Sequence, residues 1–296
     1  MTITYRKGTL EDSYSVYQVF TRSITDLGTR TNVMAITGGN DPLVMQSLWQ
    51  RRKPLFEFLA QNAAQFWVAE KDGKIIGYAR SIEHDGLIDL TEFFVDPSQQ
   101  SGGVGSELLV RAFQSLTARY RVVIASQDER ALSLYLKAGV YARFPIKYFS
   151  HKAEKVEVRT DLKIDPLLVE QHLPDLNRID RAVIGQARPA IHRWIASTRT
   201  GFLYRRKGEA VGYGYMGGPF ALLNENDFPA VLAHAEHRAA ERGDDFGVET
   251  PLINRKAIQY FMERKFKMDA FTVLFMSNEL FGKFENYLCF SPIFFM

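Results

Sequence analysis

The chain has 296 residues, of which 46% are hydrophobic and 24% are charged, a composition typical of globular proteins and a length sufficient for two domains. Its formal net charge is only +3, so nothing favours a protein that binds nucleic acid through the phosphates. The one cysteine, Cys289, excludes an intramolecular disulfide, and no apolar run has the length of a membrane span. Because the N-terminus also lacks the pattern of a secretory signal, we expect a cytoplasmic protein without a membrane or nucleic-acid partner.

The first half of the chain alternates strand and helix patterns, which favours an α/β fold with a mixed sheet. Thr9 and Asp12 have the spacing of a capped helix start, and Asp72-Gly73 between two apolar runs predicts a hairpin. The segment Thr25–Pro42 is rich in glycine and polar residues and is predicted as a loop. The expected elements are a strand at 2–6, a helix from about 10, a helix at 43–61, strands at 66–70, 75–82 and 86–95, a helix from 104 to about 119, a buried parallel strand at 122–125 and a helix at 128–140.

A glycine-rich segment lies between the strand that ends at Val95 and the helix that follows. Gly102, Gly103 and Gly105 allow positive φ angles and the close approach of a ligand. The helix after them directs its free N–H groups and the positive end of its dipole toward the segment, which suits a phosphate or pyrophosphate. The segment is neither a P-loop nor a dinucleotide fingerprint, because Gly105 is followed by Ser106 and the G-x-G-x-x-G spacing is absent. Taken alone, it could also be an ordinary tight connection.

The pattern Q-x-x-G-x-G, formed by Gln100, Gly103 and Gly105 shortly after a Val-Asp-Pro sequence, resembles the acyl-CoA pyrophosphate loop of the GNAT superfamily of N-acyltransferases. Further along, the sequence resembles the family's helix pattern N-x-x-A-x-x-x-Y-x-K-x-G-F. The residues in register are Asp128 in place of the asparagine, Ala131, Tyr135, Lys137, Gly139 and Val140 in place of the phenylalanine. The resemblance covers most of residues 1–150, implies acetyl-CoA as the cofactor, and leads us to expect a catalytic domain at residues 1–152.

The second half of the chain repeats the first. Residues 67–79 align without a gap on residues 202–214, and residues 254–261 echo residues 128–135. The second copy has no Q-x-x-G-x-G, and its counterpart of the helix tyrosine is Phe261. We therefore expect two tandem GNAT-like domains, of which residues 153–296 form a degenerate, non-catalytic copy that walls the acceptor site or replaces a dimer partner.

The resemblance also implies roles for individual residues. The backbone of Phe93, Phe94 and Val95 would contact the thioester, and Tyr135 would be the acid that protonates the leaving thiolate. Asp89 and Glu92 lie on the same strand and are the candidate bases, with a solvated or substrate-orienting carboxylate as the alternative. The residues implied at the cofactor are Phe93, Phe94, Val95, Gln100, Ser101, Gly102, Gly103, Val104, Gly105, Ser106, Asp128, Ala131 and Tyr135.

The remaining candidate groups are expected to be structural. His234 and His237 have helical spacing, but a metal site needs three or four ligands, so we expect a solvated helix face and no metal. Cys289 is expected to be a small buried residue, and the aromatic tail 281–296 is expected to pack against the domains or a second subunit.

The expected activity is the transfer of an acetyl group from acetyl-CoA to a primary amine of a small molecule, by direct attack in a ternary complex. Two alternatives stay open: a non-catalytic acyl-CoA sensor, and an acetyltransferase that acts on a protein N-terminus or lysine. The Thr25–Pro42 segment would line the acceptor pocket. The acceptor itself and the choice between monomer and homodimer are not encoded in any motif.

Overall fold

The computed structural model describes residues 2–33, 42–100 and 102–290, which divide into two compact units. The first unit contains residues 2–141 and takes in residues 276–279, and the second contains residues 142–275 and 280–290. No helix in the described ranges is long and apolar enough to cross a membrane.

The first unit is a mixed sheet with helices, as predicted. Its strands follow the order β1-β2-β3-β4-β5, antiparallel up to β4 and parallel between β4 and β5. Its elements are β1 Thr4–Lys7, α1 Ser13–Thr31, α2 Pro42–Gln61, β2 Gln65–Lys71, β3 Lys74–His84, β4 Leu87–Val95, α3 Val104–Ala112, β5 Tyr120–Ser126 and α4 Glu129–Lys137.

Local sequence explains several of these boundaries. Thr9 and Asp12 form the predicted capping box before α1. Asp72 and Gly73 both adopt positive φ, 52° and 72°, which is what a two-residue hairpin turn between twisted strands requires. Gly139 has a φ of 73° directly after α4, so this helix ends at the residue the pattern indicated.

Two predicted boundaries are wrong. Helix α1 continues through the first part of the predicted Thr25–Pro42 loop to Thr31, because Leu27 and Gly28 are buried on its packed face and Arg30 pairs with Asp26 one turn earlier. Residues 34–41 of that segment lie outside the described residues. Helix α3 ends at Ala112 instead of near residue 119, since the Ser115 hydroxyl accepts the N–H groups of residues 117 and 118 and forms a local turn.

The second unit contains the repeat that the sequence indicated. Its hairpin strands β8 and β9 turn at Lys207 and Gly208, whose φ angles are 52° and 88° and repeat those of Asp72 and Gly73. One sheet has the order β13-β10-β9-β8-β7, and β6 pairs antiparallel with β11. The elements are β6 Tyr141–Lys152, β7 Lys163–Pro166, α5 Val169–Val183, α6 Pro189–Ala196, β8 Gly201–Arg206, β9 Glu209–Tyr215, β10 Phe220–Leu222, α7 Phe228–Arg242, β11 Asp245–Pro251, α8 Arg255–Glu263, β12 Lys267–Ser277 and β13 Tyr287–Leu288.

The C-terminal aromatic segment is packed, as predicted, as far as it is described. Tyr287, Leu288, Cys289 and Phe290 are all buried in the second unit, and residues 291–296 lie outside the described ranges. The predicted domain boundary after residue 152 coincides with the end of β6. The second compact unit, however, begins at residue 142, because β6 pairs with β11 of that unit. The boundary at 152 stays a prediction.

Candidate active site

Strand β4 separates from β5 over its second half. The parallel register runs from Leu87 opposite Tyr120 to Leu90 opposite Val123, and among the described residues no pair continues it into 91–95. On the other side, β4 stays paired with β3 up to Val95 opposite Gly77. The backbone of Phe93, Phe94 and Val95 therefore borders a gap in the sheet at the end of β4.

A β-bulge at Thr91 changes which side chains of β4 share a face. Glu92 lies opposite Arg80 and Leu90 opposite Ser81, so Thr91 is the extra residue. Asp89 lies opposite Ile82, and because residues 78, 80 and 82 alternate onto one face of β3, the bulge places Asp89 and Glu92 on that same face. Phe93 lies on the opposite face.

The glycine-rich segment forms an uncapped helix start beside this gap. Gly103 is the N-cap of α3 with a φ of +81°, it provides no side-chain cap, and a Cβ added there would meet nothing within 4 Å. The N–H groups of Val104, Gly105 and Ser106 thus have no acceptor in a capping side chain, and the positive end of the helix dipole stays available. Their residue types and this open space fit a pyrophosphate.

The rest of the segment is fixed against its neighbours. A Cβ on Gly105 would come within 3.2 Å of both the Phe93 ring and Leu134, so glycine is needed there for close packing. Gln100 donates from Nε2 to the Val95 carbonyl oxygen at 3.0 Å and so ties the segment to the end of β4. Gly102 is in the described range, and Ser101 lies outside it.

Tyr135 lies on α4 beside the same end of β4. Its ring meets that of Phe93 edge-on with centroids 5.9 Å apart, and the residue is only 4% exposed. Burial raises the pKa of the Tyr135 hydroxyl well above its usual value, and the charge of Asp128 raises it further, so the group is protonated at neutral pH. No described group makes a hydrogen bond with this hydroxyl.

Asp128, which stands where the family pattern has an asparagine, caps the start of α4. Its Oδ1 accepts from the backbone N–H of Arg130 at 2.9 Å and of Ala131 at 3.5 Å, and its Oδ2 accepts from Arg30 at 2.5 Å. Burial alone would raise the pKa of this carboxyl, but the bonds from Arg30 and the backbone outweigh it and lower the pKa. The substitution of aspartate therefore preserves the helix start.

Glu92 is held in a buried ion pair. Its Oε2 accepts from Nε of Arg80 at 2.5 Å, its Oε1 accepts from the Tyr78 hydroxyl at 3.0 Å, and both ionic side chains are inaccessible. Burial raises the pKa of Glu92 above its usual value, although Arg80 opposes the shift. Asp89 is also buried, but it lies within the paired part of β4, opposite Val122. Glu92 is thus the carboxylate nearer the gap.

A model of the acetyltransferase (GNAT) domain matches residues 62–140. These residues contain β4, the glycine-rich segment and α4 up to Tyr135. The chain contains a GNAT domain. No curated protein sequence matches it.

Solved structures extend the GNAT fold to both units. A candidate acetyltransferase from Pyrococcus horikoshii is 14% identical, with a TM-score of 0.69 over 98% of this chain and 94% of its own. A GCN5-related N-acetyltransferase from Sphaerobacter thermophilus is 11% identical, with a TM-score of 0.60 over 93% and 95%. A tandem GNAT protein from the clavulanic acid biosynthesis pathway is 9% identical, with a TM-score of 0.58 over 93% and 98%. The predicted fold of two tandem GNAT-like domains is confirmed.

Sequence reasoning missed the residues that surround Glu92 in the GNAT domain. Arg80 is fully buried, donates to the carbonyl oxygen of Phe56 at 2.8 Å, and lies over the rings of Phe56 and Phe66. The available signal was a charged residue inside the otherwise apolar run of β3, since buried charges are rare unless they are paired.

In the GNAT-like second unit, the position that corresponds to the gap is filled. Strand β13 pairs with β10, with Leu288 opposite Phe220 and Tyr287 opposite Ala221. The next residue, Cys289, donates its N–H to the carbonyl oxygen of Glu249 on β11 at 2.8 Å. The chain's own backbone thus lies between the two strands that follow the hairpin, where β4 and β5 of the first unit separate.

The predicted solvated face for His234 is wrong, because this residue is 8% exposed and packs edge-on against Phe202, and burial lowers its pKa to about 4. His151, Glu154 and Glu236 lie close enough to share a cation, but Glu236 already binds the guanidinium of Arg264 at 2.7 Å. That cluster is accounted for as part of an ion-pair network.

Proposed function

We propose that the first unit is an N-acetyltransferase that uses acetyl-CoA and acylates a primary amine of a small molecule by direct attack in a ternary complex. The observation that carries the proposal is the gap at the end of β4, which lies beside the uncapped start of α3 and the buried hydroxyl of Tyr135. Acetyl-CoA would supply the activated acyl group as a thioester. The pyrophosphate would be held by the backbone from Gln100 to Ser106, and the arm by the backbone of 93–95 with the start of α4 at Asp128 and Ala131.

Side chains of this protein would then accept the proton from the amine and donate a proton to the leaving thiolate. In the transfer, the amine nitrogen forms a bond to the acyl carbon while the carbon–sulfur bond breaks, so one proton leaves nitrogen and one must reach sulfur. We assign the first proton to Glu92, whose raised pKa makes its carboxylate a stronger base than an exposed glutamate. Because this carboxylate is inaccessible and bonded to Arg80 and Tyr78, it would receive the proton through an intervening water and not by direct contact with the amine. Asp89 is the second candidate for this role. Tyr135 gives the other proton to the thiolate, because its buried hydroxyl stays protonated at neutral pH.

We further propose that the second unit does not bind acyl-CoA. It lacks the glycine-rich segment, and β13 already satisfies the backbone of β10 and β11 at the corresponding position. One acetyl-CoA per chain is therefore the expected stoichiometry.

The test is a calorimetric titration of the purified protein with acetyl-CoA, together with a matched pair of variants. Gly103→Asp puts a carboxylate into the proposed pyrophosphate site and should abolish binding. Gly73→Asp is the control, because Gly73 has a similar φ of +72° and equally open surroundings but lies in the β2–β3 turn. Its binding should match that of the wild type.

The number of acetyl-CoA sites and their sensitivity to Gly103→Asp distinguish the possible functions. One site that is lost only in Gly103→Asp supports the proposal, and release of free thiol with a panel of amines then tests turnover. An absence of binding refutes it, and two sites refute the assignment of the second unit. Binding without turnover of any small amine or of a peptide with a free N-terminus would indicate an acyl-CoA sensor, and turnover of the peptide alone a protein acetyltransferase.

A further inference from the structure

Arg52 on α2 lies next to the strand that borders the gap. Its guanidinium carbon is 5.2 Å from the centroid of the Phe20 ring, and that ring meets Phe94 of β4 edge-on at 5.1 Å. The carboxylate of Glu92 is close enough to exert an electrostatic attraction on it. A half-buried cation therefore lies beside the end of β4.

Among the described residues, no carboxylate forms an ion pair with Arg52, although this side chain is half-buried. In the same unit, Arg22 pairs with a carboxylate at 2.7 Å and Arg30 with another at 2.5 Å, and Arg80 is paired with Glu92. Within the described part of the chain, Arg52 has neither a hydrogen bond nor an ion pair. Burial accordingly lowers its pKa. A cation withdrawn from water without a partner is unfavourable unless an anion joins it.

The cofactor's phosphates are not that anion, because they belong to the other face of the sheet. Phe93 contacts Tyr135 and lies near Gly105, so its face carries the glycine-rich segment and α4. Phe94, on the opposite face, contacts Phe20 of α1. Arg52 thus lies on the side of β4 from which an acceptor would reach the thioester while the cofactor occupies the other.

We infer that Arg52 binds an anionic group of the acceptor, so that the acceptor is an amine that also carries a carboxylate or phosphate. The inference rests on the proposed acetyltransferase function. The planar guanidinium can bind either anion through two parallel hydrogen bonds, and the rings of Phe20 and Phe94 provide an apolar wall for the carbon skeleton between the two ends of the acceptor.

The experiment compares acceptors that differ only in the anionic group: α-amino acids, the corresponding amino-acid amides, and aminoalkyl phosphates beside the uncharged aminoalkanols. For each pair, kcat and KM are measured at saturating acetyl-CoA. We expect kcat/KM to favour the anionic member by roughly ten- to hundredfold, mainly through KM. The carboxylate and phosphate arms show which anion is preferred.

Arg52→Gln should bring the preference ratio close to one, and Arg52→Lys, which keeps the charge but loses the planar fork, should retain part of it. Arg51→Gln is the matched control, since Arg51 is the exposed neighbour on the same helix, and its ratio should equal that of the wild type. Acetyl-CoA titration of each variant verifies the fold independently of turnover.

The inference is overturned if wild-type protein turns over the amides as well as the acids, or if Arg52→Gln lowers kcat/KM for all acceptors by the same factor. In both cases the acetyltransferase function would stand. If acetyl-CoA binds but no acceptor of either kind is turned over, the proposed function itself fails and the inference fails with it.

Discussion

The replacement Glu249→Gln tests the protonation of a carboxyl beside the filled gap of the second unit. Glu249 lies on β11 opposite Tyr148, and its carbonyl oxygen accepts the N–H of Cys289, the residue after β13. Burial raises the pKa of its carboxyl from 4.5 to about 7, with a further contribution from the nearby charge of Asp269. The folded protein therefore keeps this proton through a pH range in which the unfolded chain has lost it.

The sign and size of the effect follow from linkage. The contribution of Glu249 to stability is fully present below about pH 4.5, where both states are protonated, and is lost as the pH rises through about 7. At about 1.4 kcal/mol per pH unit, the interval between 4.5 and 7 corresponds to a loss of roughly 3 kcal/mol. Glutamine resembles the protonated carboxyl but cannot ionise, so the variant escapes this loss.

Urea unfolding of both proteins from pH 4.5 to pH 8 measures the effect. We expect the free energy of unfolding of Glu249→Gln, relative to wild type, to rise by roughly 3 kcal/mol over this range. Glu209→Gln, a change at an exposed residue at the start of β9, should leave the difference constant. A Glu249→Gln advantage that does not depend on pH, or one that shrinks as the pH rises, would refute the assignment of a buried, protonated carboxyl.

Two further predictions concern single side chains. Tyr135→Phe should lower kcat by about 100-fold or more, the usual contribution of a general acid, and should leave the acetyl-CoA affinity measured by calorimetry unchanged. The control Tyr141→Phe, at an exposed tyrosine, should change neither quantity. A fully active Tyr135→Phe variant would contradict the acid role of Tyr135. Asp180→Asn should lower the free energy of unfolding at pH 7 by roughly 3–5 kcal/mol, since it leaves the buried Arg188 without its counter-ion. The control Asp175→Asn, in a partly exposed ion pair, should lower it by about 1 kcal/mol or less. Equal losses for the two variants would contradict the reasoning.

Local chemistry made the glycine-rich segment predictable. Gly103 has the positive φ that only glycine adopts freely, and Gly105 lies where a side chain would strike Phe93, so the residue types themselves report the backbone. The same holds for the Asp72-Gly73 turn and for the helix that begins at Asp128. In each case, the determining contacts lie within a few residues.

Gly28 shows why the predicted loop at 25–42 was wrong in its first part. A glycine lowers helix propensity by about 1 kcal/mol, but Gly28 is buried in α1, and packing of a helix face outweighs that cost. Such packing partners lie elsewhere in the sequence and leave no local pattern. The early end of α3 has a different cause, because the Ser115 hydroxyl competes for the backbone N–H groups of residues 117 and 118.

The sequence predicted which polar residues belong to the candidate site but not which face of the strand they share. Asp89 and Glu92 are three positions apart, and strict alternation along a strand would place them on opposite faces. The bulge at Thr91 brings them to one face, where Glu92 meets Arg80. A bulge depends on the register with the neighbouring strand, so neither the bulge nor the position of Arg52 beside β4 could be predicted from residue spacing alone.

The two units show opposite solutions to the same structural problem. Where the strands after a hairpin separate, their backbone N–H and C=O groups lose partners, and leaving such groups buried and unbonded is unfavourable. The second unit satisfies them with its own chain, through Tyr287 and Leu288 on β10 and Cys289 on β11. The first unit has no strand in the described residues that continues the β4–β5 register beyond Leu90, although Thr91, Glu92 and Val95 of β4 are buried there. An interrupted sheet of this kind favours an extended ligand that supplies the missing partners, which is the physical reason to place the cofactor arm in the first unit and none in the second.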